Sequence, residues 1–377
     1  MKVADRVERT PPSGIRKFFE LAEEADDVIS LGVGEPDFSA PWAARAAAID
    51  ALERGQTSYT ANRGRADLRA GISEHVAQYD LDYDPETEIL VTAGASEAVD
   101  LSMRALVDPG DTVAVPQPSY ISYAPTATFT GAEVLPVPTR AEEGFKLTDR
   151  ALREAGAGDA DALIYCYPNN PTGAVMDGEA LRPVAAFARA HDLTVFADEI
   201  YAALTYGSDH DSIATLPGMR ERTVVVGGFS KAFAMTGLRL GYALAPPEAV
   251  EAMNRVHQYT MLSAPTTAQF AGLEAIRSCG DAVDEMHEAY DRRRRYVLSR
   301  FREMGLDCFE AEGAFYVFPE CPGDDEQFAE NLLSEEGVAV VPGSVFGEGG
   351  EGHLRVSYAT GMDELREATA RIERFLD

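Results

Sequence analysis

Lysine is nearly missing from this chain of 377 residues, which has only Lys2, Lys17, Lys146 and Lys231. Basic residues are few altogether: 33 Lys and Arg stand against 63 Asp and Glu, which gives a net charge of −30. This acidic balance argues against binding to nucleic acid or to anionic membranes, since both need a basic surface. It favours a protein adapted to high salt, in which ions screen the repulsion among carboxylates, over an ordinary acidic protein.

Cysteine pairs and long apolar runs are also missing. The four cysteines lie far apart and form no C-x-x-C pair, so the sequence indicates neither a zinc site nor a disulfide framework. No apolar run approaches the roughly 18 residues of a transmembrane helix, and the charged N-terminus lacks the apolar core of a signal peptide. We therefore expect a soluble, cytoplasmic protein that holds no metal.

Short apolar runs rich in β-branched residues alternate with amphipathic helical patterns between about residues 88 and 245. Such runs are typical of fully buried strands, and their alternation with helices predicts an α/β fold with a mostly parallel sheet covered on both faces. Helical patterns also precede this region, over residues 15–24, 42–54 and 65–79, and a strand-like run lies near residue 30.

The pattern changes after Pro265. A long helical stretch over residues 266–304 has a weak break at 278–280, and short strands and a terminal helix over 362–375 follow it. This order predicts a smaller α+β domain, which the N-terminal segment joins. The four arginines at 292–295, inside the long helical stretch, are interpreted as a solvated helix face.

Ligands of an open parallel sheet bind beyond the carboxyl ends of its strands, so the residues just after each predicted strand are candidates for a site. Gly94, Ala95 and Ser96 follow one strand and open a helix, as in an anion or phosphate site, although steric reasons also place small residues there. Tyr120 follows the next strand and either stacks on a planar ligand or packs in the core. The NNPTG run at 169–173 is by itself an ordinary turn sequence.

Two ionisable residues follow later strands. Asp198 is expected to be partly buried and needs a cationic partner to stay ionised. A metal or a protonated pyridine nitrogen would serve, and no His or Cys ligand accompanies it. Lys231 lies in an otherwise apolar stretch of a chain that uses arginine almost everywhere else. Lysine, unlike arginine, can lose its proton when desolvated and act as a nucleophilic amine, which favours a catalytic over a structural role.

Together these segments resemble the fold-type-I, class I aminotransferases, most closely the archaeal aromatic and aspartate enzymes. The clearest match is SKAFAMTGLRLGY at 230–242, which is similar to the motif around the lysine that binds pyridoxal phosphate (PLP). Further motifs follow in the family's order along nearly the whole chain: GEPDF at 34–38, Tyr59, GAS at 94–96, PSY at 118–120, NNPTG at 169–173, DEIY at 198–201, GAFY at 313–316 and HLRVSYA at 353–359.

The resemblance implies a fold and a division of the chain. The fold is that of PLP-dependent transferases of the aspartate aminotransferase type, with a seven-stranded, mostly parallel sheet in a large PLP-binding domain over residues 45–275. Residues 276–377 form the small α+β domain, which the N-terminal segment over residues 1–44 joins. The resemblance also implies a homodimer with shared active sites, in which Tyr59 reaches the cofactor phosphate of the other subunit.

The resemblance further implies a role for each residue around the cofactor ring. Lys231 is expected to form the Schiff base with PLP and to act as the general base of the reaction. Asp198 is expected to pair with the pyridine N–H and so to keep the ring an electron sink. Tyr201 and Asn170 are expected to bond the phenolic oxygen of the ring, and Tyr120 to stack on its face.

The same resemblance assigns residues to the phosphate and to the substrate. The expected phosphate ligands, apart from Tyr59 of the other subunit, are Gly94, Ala95, Ser96, Ser230 and Arg239. Arg355 is expected to bind the substrate α-carboxylate as a bidentate fork, helped by Asn170 and the backbone of Gly34.

The implied activity is transfer of an amino group from an L-amino acid to a 2-oxo acid, with 2-oxoglutarate as the expected acceptor. Dicarboxylate enzymes of the family usually have Trp where this chain has Tyr120, and residues 8–20 are similar to the archaeal aromatic enzymes. Both features favour an aromatic or broad range of donors, with aspartate close behind and alanine as a further option.

Other activities share parts of this pattern. A PLP-dependent C–S β-lyase has the same fold and motifs and stays open; it would release pyruvate and ammonia from cystathionine. A PLP-binding transcription regulator is disfavoured by the acidic charge and by the roughly 30 residues that precede GEPDF. A nicotinamide dehydrogenase is disfavoured because Gly32 and Gly34 are followed by Glu-Pro-Asp rather than by the start of a helix.

Overall fold

The computed structural model describes residues 2–16, 18 and 27–377. Its strands are β1 (Ile29–Ser30), β2 (Ile89–Thr92), β3 (Thr112–Gln117), β4 (Glu133–Pro138), β5 (Ala162–Cys166), β6 (Thr194–Asp198), β7 (Thr223–Gly228), β8 (Gly241–Leu244), β9 (Tyr316–Val317), β10 (Val338–Ala339), β11 (Val341–Pro342) and β12 (Leu354–Ser357).

Seven of these strands form the central sheet, in the order β2-β8-β7-β6-β5-β3-β4. β8 runs antiparallel to both of its neighbours, and all the other adjacent pairs are parallel. Every residue of β2 and of β5 is buried, as continuous apolar sequences require when helices cover both faces of a sheet. The predicted α/β fold with a mostly parallel sheet of seven strands is therefore confirmed.

The periodicity did not single out β4, although it is one of the longer strands. Its sequence, EVLPVP, contains two prolines, which cannot donate to the hydrogen-bond ladder of a sheet. β4 stands at the end of the strand order, and proline is tolerated at such an edge because one side of the strand needs no partner.

The helices are α1 (Asp5–Glu8), α2 (Trp42–Glu53), α3 (Ala66–Val76), α4 (Ala95–Leu106), α5 (Tyr123–Thr130), α6 (Asp149–Glu154), α7 (Gly178–Ala190), α8 (Pro247–Thr260), α9 (Thr266–Ser278), α10 (Gly280–Glu303), α11 (Asp325–Glu336) and α12 (Met362–Leu376). Three of them begin after a residue whose side chain accepts a backbone N–H of the first turn: Thr148, Asp177 and Asp324. No helix in the described ranges is long and apolar enough to span a bilayer.

Most of the predicted helices are present. The long stretch after Pro265 is two helices, α9 and α10, that meet at Cys279, where the sequence predicted a break. The helix predicted at 15–24 falls largely outside the described residues; of it, residues 15, 16 and 18 are helical.

The interpretation of residues 292–295 as a solvated helix face is wrong for two of the four arginines. Arg293 and Arg294 are each 8% exposed, and they pair with Asp37 and with Asp291 and Glu310. Consecutive residues of a helix point about 100° apart, so four in a row cannot share one face. The side chains of Arg292 and Arg295 are the ones that face solvent, at 62% and 64% exposed.

Two small sheets lie outside the central one. β1 pairs in parallel with β10, with Ile29 opposite Val338, so a strand near the N-terminus is held by the C-terminal part of the chain. β11, β12 and β9 form an antiparallel sheet in that order. β12 carries Arg355, and this sheet therefore presents that arginine to the central sheet.

Candidate active site

A cavity of about 910 Å³ opens where β5, β6 and β7 end, and the turn after β2 also borders it. Most of the residues predicted for the site line this cavity: Gly34, Ala95, Ser96, Tyr120, Asn170, Asp198, Tyr201, Ser230, Lys231, Arg239 and Arg355. Gly94 is not among the lining residues and lies directly before Ala95 in the chain. Tyr59 is not among the lining residues, and its side chain is 79% exposed. The cavity thus gathers predicted residues from seven separate parts of the chain.

Lys231 follows β7 and points its amine into this cavity. Its Nζ donates a 2.6 Å hydrogen bond to the carbonyl oxygen of Gly34, and it lies 5.7 Å from the ring centre of Tyr201. Burial, followed by the positive charge of Arg355, lowers the pKa of Lys231 to about 8. Near neutral pH this amine is therefore neutral, and so nucleophilic, to a much larger extent than an ordinary lysine.

Asp198 is the last residue of β6 and is 6% exposed. Its Oδ2 accepts a 2.6 Å hydrogen bond from the hydroxyl of Tyr123, and its Oδ1 accepts one from the backbone N–H of Ile200. Burial raises the pKa of Asp198 to about 6, and the two hydrogen bonds offset only part of that effect. A cation that enters the cavity beside Asp198 would therefore stabilise its ionised form.

The turn between β2 and α4 has the features of an anion site. Gly94 has φ +88°, and a Cβ atom at this position would collide with the guanidinium of Arg239. The turn therefore brings an arginine against the N-terminus of α4, where the first backbone N–H groups have no partner within the helix. Arg239 is held there by a 2.8 Å hydrogen bond from its Nη1 to the carbonyl oxygen of Thr236.

Arg355 is 2% exposed and lies between two aromatic rings, those of Tyr316 and Phe346. Its Nη1 donates to Oδ1 of Asn170 at 3.0 Å, and its Nη2 donates to the carbonyl oxygen of Gly32 at 2.5 Å. Its Nε is buried without a hydrogen-bond partner among the described residues. A buried N–H of this kind calls for an acceptor, and a carboxylate offers two.

Sequence reasoning gave no role to three residues of this site. Nothing in the sequence marks Tyr123 as the partner of Asp198, 75 residues away. Arg16, on the N-terminal segment, also lines the cavity, although the sequence offered only a helical pattern there. Tyr316, which lay within the GAFY motif without a role of its own, bonds the hydroxyl of Tyr201 at 3.0 Å.

The donor set fits PLP. The cavity offers a partly neutral amine for the aldehyde, a buried carboxylate for a protonated ring nitrogen and a helix N-terminus with an arginine for the phosphate. Arg355 lines the same cavity, and its guanidinium has an N–H without a partner among the described residues, which suits the carboxylate of a second ligand.

Comparison with known proteins agrees with this fit to PLP. The family model described as "Aminotransferase class I and II" matches residues 26–372. The Bacillus subtilis protein YugH, provisionally named an aminotransferase, is 50% identical over 99% of this chain and 98% of its own length. Aromatic-amino-acid aminotransferase 2 of Thermococcus litoralis is 41% identical over 100% of this chain and 98% of its own. The structure of the Thermus thermophilus aspartate aminotransferase with maleate is 39% identical, with a TM-score of 0.93 and 99% of each chain covered.

Proposed function

Because the chain belongs to the class I and II aminotransferase family and is a PLP-dependent aminotransferase, we propose that it moves the amino group of aromatic and acidic L-amino acids to 2-oxoglutarate. One observation carries the proposal: a desolvated amine, a buried carboxylate and a buried guanidinium with an unpaired N–H face one cavity. Bound PLP supplies an electron sink for the electron pair left when the Cα–H bond of the amino acid breaks.

The residues proposed to hold PLP surround the cavity on three sides. The N–H groups of Ala95 and Ser96, the turn at Gly94, and Ser230 and Arg239 would take the phosphate. Asp198, kept in place by Tyr123, would pair with the ring nitrogen, and Tyr120 would cover one ring face. Tyr201 and the amide nitrogen of Asn170 would donate to the phenolic oxygen, since Oδ1 of Asn170 already accepts from Arg355.

Lys231 is the residue proposed to handle the proton of the substrate. Its Nζ sits among apolar rings, which keeps the pKa near 8 and leaves it able both to accept a proton and to return it. The carbonyl oxygen of Gly34 fixes the position of that amine. We infer that the Nζ of Lys231 would take the proton from Cα of the amino acid and return a proton later in the reaction.

Arg355 is proposed to bind the α-carboxylate of the substrate. Two acceptors already hold its guanidinium plane, so a substrate carboxylate meets a preorganised fork rather than a mobile side chain. Positioning of this kind keeps the Cα–H bond near Lys231 and excludes amino compounds that lack a carboxylate.

The outer part of the cavity supports the proposed breadth of substrates. Ile15, Ile121 and the ring of Tyr120 give it apolar surface suited to an aromatic side chain. Arg16 lies at the same end and offers a cation to the distal carboxylate of an acidic substrate or of 2-oxoglutarate. The relatives named for aromatic amino acids and for aspartate agree with this mixed lining.

A donor screen tests the proposed function. The purified protein, loaded with PLP in concentrated KCl, is given 2-oxoglutarate with Asp, Tyr, Phe, Ala or Glu as donor (the last with a different 2-oxo acid). We expect turnover with Tyr, Phe and Asp and ping-pong kinetics, because the cofactor carries the amino group between two half-reactions. Turnover confined to a donor outside these classes would refute the substrate assignment without affecting the family.

We also propose a homodimer in which Tyr59 completes the active site of the partner subunit. Tyr59 is exposed and does not line the cavity of its own chain. Other large apolar side chains are exposed in the segment next to Tyr59, where Asn62 donates to the carbonyl oxygen of Leu262 and Thr266 donates to that of Ser58: Tyr259, Met261 and Leu262. Exposed apolar side chains grouped in this way support a protein interface.

High salt and the cytoplasm are the proposed setting. The net charge of −30 supports adaptation to salt, which predicts a melting temperature that rises steeply with KCl; a flat response would refute it. The four cysteines are free, which supports a reducing compartment, and cell fractionation would test that location.

The division into residues 1–44, 45–275 and 276–377 is likewise a proposal. The pairing of β1 with β10 supports the assignment of the N-terminal segment to the C-terminal domain. Crystal structures with and without a bound dicarboxylate test it. We expect residues 1–44 to move with residues 276–377 as one body, and motion with residues 45–275 would contradict the division.

A further inference from the structure

A buried pair of side chains lies directly behind the anion-binding turn: Glu97, the third residue of α4, and His257 on α8. Nδ1 of His257 is 2.8 Å from Oε1 of Glu97, and Oε2 of Glu97 accepts a 2.5 Å hydrogen bond from the backbone N–H of Ala93. His257 has no exposed surface, and the side chain of Glu97 is 11% exposed. Each oxygen of this carboxylate therefore has its own donor.

The position of Glu97 at the start of α4 determines which backbone N–H groups near the turn it bonds. In a capping box, a carboxylate at the third position of a helix accepts from the backbone N–H of the N-cap residue, just before the helix. Here it turns back to the N–H of Ala93, which precedes the helix. The first N–H groups of α4, those of Ala95 and Ser96, are thereby left for an external anion.

His257 is what holds the carboxylate in that orientation. Among the described residues the imidazole has one polar partner, Glu97, because its Nε2 is buried and has no hydrogen-bond partner. A buried imidazole with a single polar contact is explained poorly by packing alone, since an apolar side chain would fill the space without leaving a nitrogen unpaired. The Glu97 contact is thus the chemical reason for a histidine at this position.

We propose that Glu97 and His257 are positioning residues for the cofactor phosphate. The imidazole holds the carboxylate on the N–H of Ala93 and keeps its negative charge turned away from the N–H groups of Ala95 and Ser96. The pair does not touch the cofactor and acts through the turn at Gly94. This inference rests on the proposed function, specifically on the phosphate binding at that turn.

The experiment compares PLP with pyridoxal, which lacks the phosphate, by equilibrium dialysis against cofactor-free protein. In His257→Leu, we expect the Kd for PLP to rise about tenfold, because a buried hydrogen bond to a charged group is lost, while the Kd for pyridoxal stays the same. A purely structural role would weaken both ligands together, so the ratio of the two Kd values is the decisive readout.

Met253→Ala is the matched control. Met253 lies one turn before His257 on α8, is fully buried, and contacts Ser102 of α4. The variant loosens the same pair of helices away from the turn, so we expect a lower melting temperature and an unchanged ratio of Kd values. If His257→Leu changes the ratio no more than Met253→Ala does, the proposal is wrong.

Two more variants keep the test decisive if His257→Leu does not fold. His257→Asn retains a donor near the position of Nδ1 and is expected to keep the wild-type ratio. Glu97→Ala frees the N–H of Ala93 and is expected to raise the ratio as His257→Leu does; an unchanged ratio would overturn the proposal. Wild-type protein that binds PLP no better than pyridoxal would instead refute phosphate binding at the turn.

Discussion

The hydroxyl of Tyr123 is 2.6 Å from Oδ2 of Asp198, and it donates a hydrogen bond to a carboxylate that no other side chain of the described residues bonds. Tyr123 and Asp198 are 1% and 6% exposed, respectively, so this bond is made away from water. A buried carboxylate with one phenol and one backbone N–H is incompletely compensated, which is why its pKa rises to about 6. A protonated ring nitrogen beside Asp198 would supply the positive charge that this carboxylate lacks.

The cofactor-free protein should therefore gain stability when Asp198 is replaced by Asn, and the gain should develop between about pH 4 and pH 6. The folded pKa of about 6 exceeds the ordinary value of 3.8, so the unfolded chain ionises first, and the penalty on folding grows over this range and stays constant above pH 6. At pH 8 the variant should be more stable than wild type by about 3 kcal/mol, and at pH 4 the two should be equal. Urea unfolding of both proteins at the two pH values measures this difference, and equal stability at pH 8 would contradict it.

Lys231→Ala should abolish turnover and the visible absorbance of bound PLP. Lys231 carries the one amine among the described residues that line the cavity, so no other described lysine can attach the cofactor and move the substrate proton. After borohydride reduction, mass spectrometry of wild-type protein should find the cofactor on the peptide that contains residue 231. Lys146→Ala, a half-buried lysine outside the cavity, is the control and should behave as wild type.

Arg355→Lys should raise the KM for amino acid donors about 100-fold while leaving PLP affinity unchanged. Lysine keeps the charge but loses the planar fork, and it cannot hold Asn170, the backbone of Gly32 and a carboxylate together. Steady-state kinetics and PLP titration measure the two effects. An unchanged KM would show that the substrate carboxylate binds elsewhere.

Arg16→Gln should separate acidic from aromatic substrates. If the guanidinium meets the distal carboxylate, the KM for 2-oxoglutarate should rise about tenfold and that for phenylpyruvate by less than about twofold. Arg9→Gln, at an exposed position of the same segment, is the control and should leave both values unchanged. Equal effects on both oxo acids would remove Arg16 as a determinant of specificity.

Mixing two inactive variants tests the shared active site. In a hybrid dimer of Lys231→Ala and Tyr59→Ala, one site would combine an intact Lys231 with an intact Tyr59 from the partner. Random exchange of subunits should therefore restore about one quarter of the wild-type sites, since half of the dimers are hybrids and each has one intact site. Activity that stays at the level of the separate variants would place Tyr59 in its own subunit or outside the site.

The sequence predicted the central sheet and the residues at its strand ends because those signals are local. Buried parallel strands are continuous apolar runs, and Lys231 is conspicuous in a chain that otherwise uses arginine. The contacts that tune the site are not local: Tyr123 meets Asp198 across 75 residues, and Glu97 meets His257 across 160. The prediction for the arginines at 292–295 was wrong for another reason. Composition gives the charge of a helix segment, but it does not say which of its residues face solvent.

Arg355 belongs to the antiparallel sheet of β9, β11 and β12, yet it is fastened to Asn170 after β5 and to Gly32 near the N-terminus. The same guanidinium thus connects three separate parts of the chain and is also the group proposed to bind the substrate carboxylate. A substitution of Arg355 would therefore disturb the fold and substrate binding together. Substitutions around Arg16, which lines the same cavity, would change substrate preference with less effect on the fold.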